Sequence, residues 1–204
     1  MKFIYEIYIQ NQLPLLVFLI ILFISGIAFG TIAVNTVNYE LKENLFSYFN
    51  NFLRDFTKLE YDKARFMHES IKFNMLTLGI IFLLGLTVII MPVIILIIFF
   101  KGFVLGFSVG FLIDYYSYKG LLMAFITILP QNIFIIPAYL LSGLSSISFS
   151  FLLINYYRNR ARLGRQNFID FFVKNIILAF IMLGGTLIET YISPILMNNI
   201  LNYL

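Results

Sequence analysis

The sequence predicts an all-α polytopic membrane protein with about five transmembrane helices, and three observations carry that prediction. Of its 204 residues, 61% are apolar and only 12% charged, where a soluble domain runs nearer half and a quarter. Mean hydropathy is +0.93. The charges also cluster, leaving uncharged windows of 33 residues (Ile7 to Tyr39), 28 (Phe73 to Phe100) and 38 (Gly120 to Tyr157). About 20 apolar residues at ~1.5 Å rise each suffice to cross a bilayer. A water-facing globule carrying 24 Phe and 13 Tyr could not cover itself, which excludes the soluble-enzyme class. The absence of cysteine removes disulfides, thiolate metal sites and thiol nucleophiles. His68 is the only histidine.

Each element follows in order along residues 1–204, read as one transmembrane domain. The first window has small residues at cleavage-like spacing (Gly26-Ile27-Ala28 and Thr31-Ile32-Ala33), yet it far exceeds the h-region of a signal peptide, about 7–15 residues. It is expected to remain as an anchor. Residues 40–72 carry six basic and six acidic residues, with Leu45, Phe49, Phe52, Phe56 and Leu59 at helical spacing. That pattern predicts one or two amphipathic helices outside the membrane, with Phe49, Phe52 and Phe56 as a partner-facing stripe. Phe73 to Phe100 is the second span. Lys101 then interrupts two apolar windows with only Gly102 after it, and reads as a tight cytoplasmic turn. Gly102 to Ile113 is short, but Tyr115, Tyr116 and Tyr118 can sit in the interface and lengthen the third span.

The fourth window is too long for one straight helix and contains Pro130, Gln131, Asn132 and Pro137. Each proline lacks an N–H and crowds the carbonyl four residues earlier. Two readings of this Pro-broken segment at 120–137 fit the lengths. One is a re-entrant hairpin that descends to Pro130, returns in extended form to Pro137, and is followed by a span. The other is a long kinked helix, since membrane helices tolerate proline. Residues 158–174 hold five basic residues against Asp170 alone. Asn175 onward forms the last span, provided Glu189 lies near the far surface; Asp114 is expected at that same outer surface.

Orientation follows from the basic loop. Positive residues are retained inside, so 158–174 is placed in the cytoplasm and 40–72 outside. Five crossings then put the N-terminus in the cytoplasm and the C-terminus outside. Gly102, Gly106 and Gly110, with Gly26 and Gly30 on the first span, make small-residue stripes that let helices pack closely. They predict a seam within the chain or between two copies of a homodimer.

Catalytic patterns fail on context. Gly106-Phe107-Ser108-Val109-Gly110 matches a nucleophile elbow but sits in an apolar helix with no histidine on a neighbouring span. His68-Glu69 lacks the second histidine of a zinc-protease helix, and no phosphate-binding loop occurs. No enzyme activity, metal, cofactor or nucleic-acid partner is predicted.

The run Met91-Pro92, Phe99-Phe100-Lys101-Gly102-Phe103-Val104-Leu105-Gly106-Phe107, Lys119-Gly120-Leu121-Leu122, Ile128-Leu129-Pro130-Gln131-Asn132 and Ile136-Pro137-Ala138 resembles the stage II sporulation protein M family. Ser25-Gly26 and Phe29-Gly30 fit it as well. The resemblance implies a membrane protein of forespore engulfment that anchors extracytoplasmic peptidoglycan hydrolases. Two functions therefore compete. One is a non-enzymatic scaffold working through its outward loop. The other is a transporter or lipid-handling protein with a midplane site at the Pro130–Pro137 break, where discontinuous helices meet as in carriers. Membrane lipid is a partner on either reading. A continuous water-filled cavity reaching Gln131 and Asn132 favours transport, and a packed bundle without one favours the scaffold.

Overall fold

The computed structural model describes residues 2–57, 63–87, 91–159 and 164–203. Among them run seven helices: α1 (Lys2–Thr36), α2 (Tyr39–Thr57), α3 (Lys63–Gly85), α4 (Met91–Tyr116), α5 (Tyr118–Thr127), α6 (Leu129–Asn159) and α7 (Arg165–Tyr203). Five of these are long and apolar enough to cross a membrane: Gln12–Thr36, Ala64–Gly85, Met91–Tyr116, Leu129–Arg158 and Arg165–Ser193. The protein is a multi-pass helical membrane protein. Its outer surface carries Leu83, Val104, Phe125 and Phe180, each at least 60% exposed, and lipid supplies the apolar cover that water would not.

The number of crossings is the expected one, but two boundaries move. α3 already begins at Lys63, so Arg65, His68, Glu69 and Lys72 belong to a membrane helix rather than to a loop. The chain next turns through Leu86 and Thr87, whose N–H groups bond to Leu83 and Leu84. α4 opens with Pro92 in its first turn, where a missing N–H costs nothing. Lys101 consequently lies well inside the 26 residues of α4, and is not a cytoplasmic turn. Charge gaps measured how much chain could cross. α3 ends at Gly85 and Pro92 opens α4, and neither carries a charge. At the other basic segment, α7 starts at Arg165, so most of 158–174 is helical as well.

α1 and α4 run parallel and in close contact. Gly102 faces Phe23, Gly106 faces Ile27 and Gly110 faces Thr31, while Gly26 and Gly30 face the α4 backbone at Phe99 and Phe103. The glycines of both helices thus form one seam within the chain. Thr31 Oγ1 adds a hydrogen bond across it to the Gly106 carbonyl at 3.1 Å.

α5 folds back along α4 after Ser117, the one described non-glycine residue with positive φ (53°). Gly120 lies on Leu112, and Thr127 and Ile128 share a pocket wall with Phe107 and Ser108. Tyr139 stands at Lys101 and Gly143 at Ile98 and Ile94. Descent along α4 is therefore one-way from α5 through α6. The break falls at Ile128, and Gln131 to Pro137 is helical, so the segment is a kinked crossing and not a re-entrant hairpin. Pro130 sits in the first turn of α6, which lets the helix restart there without losing a bond.

α6 then packs between α3 and α7. Ser142, Ser146 and Ser150 are fully buried along one of its faces. Gly85 of α3 lies on Ser146, Ser150 donates to the Gly85 carbonyl at 2.9 Å, and Ser142 donates to Asn175 Oδ1 of α7 at 2.8 Å. Leu19, Ile81, Ile94, Ile98, Ile147 and Met182 fill the centre.

α2 lies across the end of the bundle where α4 meets α5. Lys42 pairs with Asp114 at 2.8 Å, Phe46 stacks on Tyr115, and Phe49 meets Phe111 and Tyr116 edge-on. Phe49 therefore faces the bundle rather than a partner. The Phe52 and Phe56 side chains lie outside the described residues. Tyr39, Leu41 and Tyr48 of α2 are largely exposed, Tyr48 at the rim of the pocket between α2, α4 and α5.

Candidate functional site

α3 and α4 are joined by the turn after Gly85 and touch only sparsely beyond it, so they part toward the α2 end of the bundle. α6 and α7 do not fill the gap. The result is a cavity of about 360 Å³ lined by Ser70 and Asn74 of α3, Lys101 and Ser108 of α4, Gln131, Asn132 and Tyr139 of α6, and Glu189 of α7. Helical spacing explains the convergence: Ser70 and Asn74 are four apart, Lys101 and Ser108 seven apart, and each pair shares a face. Phe73 and Val104, both more than half exposed, flank the opening between α3 and α4.

Three charged residues line this cavity, Glu69, Lys101 and Glu189, and the last two lie deepest along their helices. Lys101 Nζ is 4.4 Å from the centroids of both the Phe73 and Tyr139 rings. Ring faces attract a cation more strongly where water is scarce, which helps an apolar helix hold a lysine halfway along its length. Tyr139 is oriented in turn by donating its hydroxyl to Asn74 Oδ1 at 3.0 Å. Glu189 accepts a hydrogen bond from Ser70. Lys101 and Glu189 act on each other electrostatically yet do not meet as an ion pair. Charged side chains within a bilayer are costly and face protein or water-filled space. Lys101 and Glu189 both face the interior of the bundle here.

Of the residues singled out at the break, Gln131 is 7% exposed and accepts from Ser193 at 2.7 Å. Asn132 bonds back to the Ile128 carbonyl at 2.7 Å. Both line the cavity. Pro130 and Pro137 shape α6 without lining it. Asp114 lies at the α2 end, paired with Lys42. Glu189, expected at that outer surface, instead lines the cavity. Ser70, Asn74 and Tyr139 carry no sequence signal of their own. Lys101 did carry one, because a turn after a 28-residue uncharged window leaves only 12 residues for the next span. Ser108 donates within its helix to Val104 at 2.9 Å in the middle of the continuous α4, so the elbow-like pattern lacks the strand–turn–helix setting it needs. Among the described residues no group of three or more metal-ligating side chains forms.

A family model for stage II sporulation protein M matches residues 19–194. The chain belongs to that family. No curated protein and no solved structure matches it. The stage II sporulation protein M match takes in the bundle from α1 to α7, including the glycine seam, the break at Ile128 and every cavity residue from Phe23 to Glu189.

Proposed function

We propose that this stage II sporulation protein M family member is a non-enzymatic membrane scaffold that recruits extracytoplasmic peptidoglycan-degrading proteins during engulfment. Family membership over residues 19–194 is the observation that supports it most. The fold adds a means. α2 is an amphipathic helix fixed to the bundle end by Lys42–Asp114 and by Phe46 and Phe49, which leaves Leu41 and Tyr48 exposed beside Glu40, Glu43 and Asn44. With the basic segment 158–174 in the cytoplasm, α2 faces outward. Changing Leu41 and Tyr48 together to Ser should lower recovery of the hydrolases in a pull-down from sporulating cells, with the protein still in the membrane. Unchanged recovery would remove α2 as the docking surface.

A second reading, that the bundle holds lipid, is favoured by the cavity reaching Gln131 and Asn132. Lipid retained through detergent purification, and lost when Ser108→Phe fills the cavity wall, is the expected result.

A further inference from the structure

A second, almost wholly apolar pocket of about 340 Å³ lies between α2, α4 and α5, lined by Phe49, Phe107, Phe111 and Met123. It shares Ser108 and Ile128 with the charged cavity, so the two abut on either side of those residues. One holds Lys101 and Glu189, which do not meet as an ion pair, with Glu69 on the same wall; the other offers hydrocarbon. From this pairing we infer that the two spaces bind one zwitterionic amphiphile, its anionic group at Lys101, its ammonium at Glu189, and its acyl chain in the apolar pocket. This rests on the lipid reading above and goes further by specifying the headgroup.

Three features favour a headgroup with both charges over a singly charged one. An anion alone would meet Lys101 but also face Glu189, and Glu69 on the same wall. A cation alone would gain Glu189 and Glu69 but leave Lys101 without an anionic partner and be repelled by it. A phosphoethanolamine-type group satisfies both, and Asn74, Gln131 and Asn132 can accept from or donate to what remains. The opening between Phe73 and Val104 faces the lipid-covered surface, which gives a membrane amphiphile a route in.

The test reconstitutes the full chain in nanodiscs of equal phosphatidylethanolamine and phosphatidylglycerol, re-extracts it, and weighs retained lipid by mass spectrometry. Phosphatidylethanolamine should be enriched severalfold over the starting mixture. Glu189→Gln should bring that enrichment back to the starting ratio, because only the ammonium distinguishes the two headgroups, whereas Lys101→Met should lower retention of both lipids, since both carry the phosphate. Retention of both lipids without preference would overturn the headgroup assignment while leaving lipid binding intact. No retained lipid at all would overturn both. The preference of the unsubstituted protein decides the matter even if a variant fails to fold.

Discussion

A Cβ added at Gly106 would stand 2.1 Å from the Ile27 carbonyl oxygen, and one at Gly30 2.0 Å from that of Phe103. Backbone cannot yield as a flexible side chain can, so α1 and α4 would have to separate. At Gly79 the same Cβ meets nothing within 4 Å. Gly106→Leu should therefore cost roughly 1–3 kcal/mol or more through overpacking, and Gly79→Leu close to nothing. Thermal unfolding in detergent separates the two, and equal midpoints would remove the packing argument. The four-residue spacing made this seam readable from sequence, because a repeated small residue marks a helix face whatever lies opposite. The serines of α6 do comparable work at Ser142, Ser146 and Ser150. They do not stand out in a sequence, since serine also suits turns and helix ends.

For the elements, hydrophobic periodicity in α2 showed an amphipathic helix but not which way it faced. Leu45 and Phe49 face α4 and α5, because aromatic side chains at Phe111, Tyr115 and Tyr116 wait there. Only the approach of residues some 65 positions away decides that. Phe49→Ser should loosen α2 by about 1–2 kcal/mol, as the ring is half buried, whereas Tyr48→Ser should not. Limited proteolysis of reconstituted protein at α2 would report the difference, and equal cleavage rates would show that α2 is not held by its aromatic face. The fourth crossing teaches a related lesson. Two prolines seven apart marked a disturbance, but a proline in a helix's first turn starts it as readily as a proline inside kinks it. Neighbouring α4 fixed the outcome by offering a continuous groove to α5 and α6.

Across the whole molecule, the five crossings put α2 and the α4–α5 turn at one end, and the start of α7 at the other. Since the chain has no cysteine, single cysteines can map the sides. Ser47→Cys and Ser117→Cys should react together with an impermeant thiol reagent in intact cells, and Arg165→Cys only after permeabilisation. Labelling of position 165 in intact cells would reverse the orientation argued from the basic segment. What the sequence by itself determined was the membrane class, the number of crossings, the small-residue faces of α1 and α4 and the family, because these rest on composition and on spacing along single helices; that the two glycine faces meet each other was decided by the tertiary structure. The tertiary structure alone decided that Lys101 and Glu189 share a cavity. Lys101 looked like the end of a span because a buried charge is costly when only its own helix is considered. Phe73, Tyr139 and Glu189 come from three other helices, and their convergence is what makes a lysine tolerable halfway along α4.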